Sequence, residues 1–587
     1  MRRAAKTSIA AAAAVLLAAS ACSSGDGDQS GVGFEDCEEN PVECNSGERI
    51  DGGELVWALD SGWTGWTNAK VETYSLPQLT VIDPVSPGHI TFQPDGSDEL
   101  DTSVWEAEPE LISEEPMQVE YQLNPDANWG DGTSIGYDDF IWYWYAYSAD
   151  PEKCEACTPP SDTYGGNVEE IEETEENTFQ VTFREGYTNP EWLYTPVLLH
   201  PAHVAEANGF EDWKDDPEVM ADSVDYFAEN PPLEYSAGPY RMVDAEASDY
   251  VIYEPNEDWA GDTEVTLDSL RFEVYEDTDS IFTEMRQGNV HGTAPRHFDP
   301  NIIDQLQGAE EVRYDVAPGS SWEHITMNTR GSVLSDPELR LAVFTAIDVE
   351  AINDQVYGHA TDETDQKLSH LFPPEDQYFE DFISDTTQGS GDEEAARDIL
   401  EEAGYEWDDD EALIDDDGDQ IEISYRMSSE NPAQATTSEL VQSYLGDLGI
   451  NVSIDPFPSA DLTSVLGDGE FDMAQFGWTA NPLFSTIPNQ QWHSESSSNY
   501  GGLDNEELDA YIDSVQETFD MDEAAERANS AVETVVDEAY VLPFIHNPAL
   551  IIASEELVNV RDNWATPTRA TYNVAEWGFV DPDTIEE

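Results

Sequence analysis

Positive charge is what this chain has least of. Its 21 Lys and Arg face 128 Asp and Glu, for a formal net charge of −107 and a pI near 4.1, so the surface repels polyphosphate and a nucleic-acid partner is excluded. The lysines are Lys6, Lys70, Lys153, Lys214 and Lys367. Carboxylates in such excess either draw in cationic ligands or keep a protein hydrated in concentrated salt, which screens their repulsion to about 3 Å at 1 M. Their spread along the whole chain favours the second reading and a saline source.

Long apolar runs are missing too. Past the N-terminus no segment reaches the ~20 apolar residues of a membrane-spanning helix. Also absent are a Gly-x-Ser-x-Gly elbow, a phosphate-binding glycine loop and a His-Glu-x-x-His pair. The run Asp415 to Asp419 fails as a calcium loop, because Gly418 at the sixth place would put Leu413 first and Ser424 at the bidentate position. It reads as a solvated hairpin tip. His200 and His203 lack a third ligand, so no metal, cofactor or catalytic residue is expected. A secreted hydrolase survives only as what spacing does not exclude.

What is present begins at the N-terminus. Arg2, Arg3 and Lys6 precede an apolar run from Ile9 to Leu17, and Ala19, Ser20 and Ala21 lead into Cys22. A basic head, a short hydrophobic stretch and a small-residue cleavage site make residues 1–21 an export signal. Small residues before a cysteine resemble a lipobox, which makes Cys22 the candidate for lipidation; ordinary secretion is the alternative. Residues 22–52, rich in Gly, Ser, Asp and Glu, read as a flexible tether to the outer face of the cytoplasmic membrane. Of the other cysteines, Cys37 with Cys44 and Cys154 with Cys157 are the economical disulfides in an oxidising compartment. For the second pair, half a zinc site or a redox site stays open.

Along the mature chain, Glu54 to Leu59 reads as a first strand. Val119 to Leu123 is another, followed by the turn Trp129-Gly130-Asp131-Gly132 and by Asp138 and Asp139 capping an aromatic helix. Ser236-Ala237-Gly238-Pro239-Tyr240 opens a strand that runs to Tyr253, and Asn256 to Trp259 follow. Asp336 caps a helix with Pro337 at its first position, and Leu339, Ala342, Val343, Ala346 and Ile347 recur at helical spacing. Ile421 to Met427, the Leu440 to Leu448 helix face and Ile450 to Ile454 form a strand, helix, strand unit, which demands a parallel pair. Phe471 to Trp478 and Val541 to His546 read as later strands.

Three blocks of this pattern resemble the family 5 extracellular solute-binding proteins: the Trp-Asp-Gly turn with its acidic pair, the Gly-Pro-Tyr strand, and the helix carrying Arg340, Ala342, Ala346 and Asp348. The chain departs from the family at His291, where an aspartate is usual, and at Asn481, which follows Gly477, Trp478, Thr479 and Ala480 where peptide-binding members have an aspartate.

The resemblance implies an α/β, two-lobed periplasmic-binding-protein-like fold of the class II type, with mixed sheets and an extra inserted subdomain. Lobe I is expected from 53–85, 226–316 and 547–587, the inserted subdomain from 86–225 and lobe II from 317–546. It implies a monomer that captures a small solute, foremost an oligopeptide, between hinged lobes and passes it to a membrane ABC permease and ATPase. A nickel chelate or sugar, or a sensing or adhesion lipoprotein, are the alternatives. Candidate cleft residues are Trp63, Trp66, Asn68, Ser236, Ala237, Trp478, Asn481, Trp492 and Tyr500; aromatics among them either stack on a ligand or fill core.

Overall fold

The computed structural model describes residues 33–581 apart from 35, 38–39, 162, 196–198, 276, 297, 299–301, 310, 331–332, 362, 375, 416, 459–460 and 480–481. Cys22 and Asn481 therefore lie outside the described residues, as does the export signal. The segment expected as tether is folded over its second part. Cys37 is bonded to Cys44, Cys44 and Asn45 are buried, and Arg561 Nε donates to Cys44 O at 2.8 Å while Asn45 Nδ2 donates to Val560 O at 2.8 Å. The reason is local: a disulfide loop and a buried amide give this stretch bonding partners that a Gly-Ser tether lacks. Cys154 and Cys157 are also bonded to each other, and the described residues contain no cluster of His, Cys, Asp or Glu suited to a metal.

One ten-stranded sheet runs through both lobes. In the first lobe, β1 (Glu54–Leu59) is parallel to a later strand on each side and buried over most of its length, which explains its unbroken Leu-Val-Trp-Ala run. Within the first half of the chain a four-stranded antiparallel sheet stands apart: β2 (Trp105–Glu114), β3 (Met117–Leu123), β4 (Val168–Glu175) and β5 (Thr178–Phe183). Helix α1 (Tyr137–Tyr147) and α2 (Pro217–Glu229) join it around a core rich in aromatic rings, from Trp105 and Tyr121 to Trp213. This is the inserted subdomain.

The acidic pair lies in the first turn of α1, and one member of it caps the helix as expected. Gly136 is the N-cap, and Asp139, four per cent exposed, accepts from the amides of Gly136 and Ala202 and from Trp129 Nε1. Asp138 instead pairs with Lys214. The Trp-Gly-Asp-Gly turn is thus tied to α1 by one buried carboxylate, whose pKa burial lifts to about 6.

The strand expected from Gly-Pro-Tyr to Tyr253 is a hairpin, β6 (Tyr240–Glu246) and β7 (Tyr250–Pro255). Ser248 breaks it, with φ +62° at the turn. Gly238 is required there because a Cβ would lie 2.5 Å from Pro84 O. Strand β8 (Ser269–Val274) and the short β9 (Gly292–Thr293) flank β1. His291, where the family has an aspartate, ties β9 to β1: its Nδ1 accepts from Val56 N at 3.0 Å.

The second lobe follows from β10 (Val312–Met327), with helix α3 (Pro337–Ala346) capped by Asp336 through Glu338 N. Strand β11 (Glu422–Ser428), helix α4 (Pro432–Asp447) and β12 (Asn451–Phe457) form the expected unit, with β11 and β12 parallel. Strand β13 (Met473–Thr479), helix α5 (Met521–Asp537) and β14 (Val541–Ser554) complete it. The sheet order is β12-β11-β13-β10-β14-β9-β1-β8-β7-β6. Asp415 and Asp419 form the expected hairpin tip, Asp415 Oδ1 accepting from the amides of Asp417 and Asp419.

A net charge of −107 places like charges within reach of one another over the whole surface, and salt screens them. Raising NaCl from 0.1 to 1 M should therefore raise the melting temperature in a calorimetric scan; a fall or no change would refute self-repulsion as a limit on stability.

Candidate functional site

Strands β10 and β14 are long enough to belong to both lobes. Val312 to Pro318 pairs with Ser554 to Pro548, and Trp322 to Thr326 pairs with His546 to Val541; between Pro318 and Trp322 the register shifts. Residues 319–321 bulge there opposite Asn547, and a Cβ on Gly319 would lie 2.7 Å from Asn547 O. Asn547 Nδ2 donates to Ser321 Oγ at 3.0 Å. Beside this break Glu323, six per cent exposed, is held by carboxamides: Gln434 Nε2 at 3.1 Å and Gln475 Nε2 at 3.2 Å, with Asn547 Nδ2 at 3.5 Å. Burial raises its pKa.

On the other face of β10 and β13 lies an aromatic chamber. Trp322, His324, Phe476 and Trp478 share this face, since alternate residues of a strand point the same way; Trp322 and His324 rings are 4.7 Å apart and His324 and Phe476 rings 4.3 Å. Trp478 lies parallel to Tyr500, 10° between planes and 6.0 Å between centroids, and parallel to His324 at 6.4 Å. Both Trp478 and Tyr500 are half-buried, so part of each ring faces solvent. A small cavity of about 10 Å³, room for one water at most, is lined by Thr326, Phe476, Trp478, Gln491, Trp492 and Tyr500 among others. Its described lining carries no charged side chain. Gln491 Oε1 is buried there with no hydrogen-bond partner among the described residues.

The structure thus brings together Trp478, Trp492 and Tyr500 from the sequence-based candidates. Trp492 is one per cent exposed and forms wall, edge-on to His370. Trp63 and Trp66, two and six per cent exposed, meet edge to face in the core of the first lobe. Ser236 and Ala237 are buried at the corner before β6, where Val85 O accepts from the amides of Ala237 and Gly238. Asn68 is half-buried, its carbonyl accepting from Tyr147 Oη at 2.6 Å. His200 packs on Trp142 and Phe227 as a neutral core histidine, and His203 pairs with Asp131.

Sequence reasoning missed several polar groups around the chamber. Lys367 Nζ donates to His546 Nε2 at 3.0 Å and lies over Trp322, and His370 Nε2 donates to Val541 O at 2.9 Å. Burial first, and then the Lys367 charge, keeps His546 neutral. Glu191, from the inserted subdomain, accepts from the amides of Phe484 and Ser485 in the second lobe. His324 alone had a signal, a histidine inside an alternating apolar strand; the others follow no local pattern.

A family model described as bacterial extracellular solute-binding proteins, family 5 middle, matches residues 99–500. The oligopeptide-binding protein OppA of Mycobacterium tuberculosis is 24% identical over 517 residues, 87% of this chain and 82% of that one. Among solved structures, the periplasmic EDTA-binding protein EppA superposes with a TM-score of 0.82 at 26% identity, over 92% of this chain and 99% of that one. The oligopeptide-binding protein AppA of Bacillus subtilis, in complex with a nonapeptide, superposes at 0.69 and 16% identity, over 91% and all of the other chain.

The ring nitrogens of His324 make no well-formed hydrogen bond among the described residues, only a loose approach to the Trp322 backbone, and burial lowers its pKa from 6.5 to about 3. A lowered histidine pKa means that the unfolded chain binds the proton first, so the stability His324 contributes is complete above pH 6.5 and is lost as pH falls toward 3. Relative to the parent, His324→Phe should gain about 2 kcal/mol in unfolding free energy between pH 7 and 5. Parallel urea titrations at the two pH values check this, and an unchanged difference would mean that His324 is solvated.

Proposed function

The chain belongs to the bacterial extracellular solute-binding proteins of family 5, and from that premise we propose that its solute is an oligopeptide, handed unchanged to an ABC permease and its ATPase. The observation that carries this reading is the uncharged aromatic wall formed by Phe476, Trp478, Trp492 and Tyr500. Half-exposed parallel rings of Trp478 and Tyr500 offer apolar faces to a peptide's side chains. Two relatives bear names of the same kind, an oligopeptide-binding protein and one holding a nonapeptide.

A second reading is a metal chelate, favoured by the likeness to an EDTA-binding protein. A polyanion, however, meets a chain with 128 carboxylates and 21 basic residues, and Lys367 beside the chamber is already engaged with His546 and the Trp322 ring. A neutral or cationic peptide meets no such repulsion. Trp478, Asn481, Trp492 and Tyr500 are the proposed solute-contacting set. With Asn481 in the aspartate's place, an amide rather than a carboxylate meets the peptide's amino end, a weaker bond that shifts affinity onto the aromatic wall.

Capture works by differential binding. A solute that touches both lobes favours the closed arrangement by the difference of its affinities for closed and open, and a swing from one per cent to ninety-nine per cent closed takes about 5.5 kcal/mol. The permease can then distinguish loaded from empty protein. The protein acts as a monomer, held outside the membrane by a lipid on Cys22, with the remaining residues before the Cys37–Cys44 loop as its leash.

Native mass spectrometry of the purified protein should recover intact peptides, and calorimetry should rank peptides above Fe(III)-EDTA; tight chelate binding without peptide binding establishes the second reading, and cleaved fragments establish a hydrolase. Trp478→Ala should weaken peptide binding by roughly thirtyfold, about 2 kcal/mol for a stacked, partly buried ring. For the anchor, labelled palmitate should enter the parent chain, whereas Cys22→Ala should take up none and appear in the medium.

A further inference from the structure

Among the described residues, three hydrogen bonds away from the hinge strands cross from the inserted subdomain to the second lobe, and one side chain accepts them all. Glu191 Oε1 accepts from Phe484 N at 2.6 Å and from Ser485 N at 3.0 Å, and Oε2 accepts from Ser485 Oγ at 2.6 Å. Partners 293 and 294 positions apart in the chain meet through tertiary structure alone, on two bodies joined through β10 and β14.

Both ends of the contact are built for it. On the subdomain side, Asn189 Oδ1 accepts from Glu191 N at 2.9 Å, and Asn189 Nδ2 donates to Thr195 Oγ1 at 2.9 Å, so the turn that carries the carboxylate is fixed before it meets its partner. On the second lobe, Phe484 packs between Phe372 and Tyr378, at 5.0 and 5.8 Å between ring centroids, which orients two successive amides outward as an anion-binding nest. Phe519, also of the second lobe, packs on the subdomain core. Glu191 is six per cent exposed in this arrangement, and separating the lobes would return it to water.

We propose that Glu191 is a positioning residue for solute capture: it clasps the segment that follows Trp478 and so holds the second lobe, with its aromatic chamber, closed against the first. Phe484 and Ser485 belong to the same lobe as Trp478, so fixing them against the subdomain also holds that lobe's aromatic chamber in place. The chemistry suits a contact that must reopen. A buried carboxylate without a cationic partner loses hydration that amide and hydroxyl donors largely return, so the clasp adds a modest bias and leaves the decision to the solute. A cationic partner for Glu191 in place of the two amides would hold the lobes together more firmly.

The role is separable from solute identity, because every measurement uses solute-free protein. Small-angle scattering of Glu191→Ala should show a larger radius of gyration than the parent, and hydrogen exchange at the Phe484 and Ser485 amides should accelerate by about tenfold or more. Glu191→Gln keeps an acceptor oxygen for the two amides and should restore both readings, while Ser485→Ala, which removes one of three bonds, should fall between. Unchanged scattering and unchanged exchange in Glu191→Ala would overturn the proposal. If that variant fails to fold, the Glu191→Gln and Ser485→Ala pair decides: equal exchange in both and in the parent overturns it equally. Failure to bind any peptide would defeat the peptide reading and leave this test intact.

Discussion

Two strands that cross from one lobe to the other are the constraint on which the rest depends. Backbone pairing along β10 and β14 runs on both sides of residues 319–321, with a second register shift between Glu323 and His324, and a strand cannot lose its ladder without leaving buried N–H and C=O groups unpaired. Relative motion of the lobes is therefore easiest where the register already breaks, from Pro318 to His324 around Asn547. A bulge there bends the sheet without exposing it, since the lone Cα of Gly319 lets the partner strand pass close by. The aromatic chamber begins at Trp322, directly beyond the break, so any change in hinge angle carries its rings with it.

Around this break the protein buries polar groups in forms that keep them neutral or fully bonded. Glu323 sits among carboxamides, Lys367 leans on a neutral His546, and His324 and His370 stay unprotonated between rings. Each is costly alone, because a buried charge or an unpaired donor loses hydration. Together they leave the small cavity's described lining without a charged side chain, Lys367 lying over the Trp322 ring, while the opposite face of the same strands carries the Glu323 network. Strand alternation separates the two environments by one residue.

The scarcity of positive charge acts inside the fold as well as on its surface. Several arginines tie remote segments together through backbone carbonyls: Arg313 reaches Ser554, Glu555 and Leu557, Arg561 reaches Cys44, and Arg340 reaches Leu334, Ser335 and Glu538. A planar guanidinium can satisfy several such oxygens at once, which an ammonium group does less well. In so acidic a chain, fixing arginine in the interior leaves the exterior almost wholly anionic, the state that suits hydration in salt.

The amino-acid sequence alone determined what depends on neighbours within a few residues. Alternation in β11 and β12, the Asp336-Pro337 cap and the close disulfide pairs were legible because each is a short-range pattern, though the Cys154 and Cys157 spacing also fitted a metal or redox site, and the three ordered motif blocks were legible by resemblance. The hairpin at Ser248 was missed because a polar residue in a left-handed turn resembles one on a solvated strand face. Tertiary structure decided the rest: that Trp63 and Trp66 fill core while Trp478 and Tyr500 keep an open face, and that Glu191 meets Ser485. Those outcomes depend on which surfaces the hinge brings opposite one another, and contacts across hundreds of residues leave no periodicity in the chain.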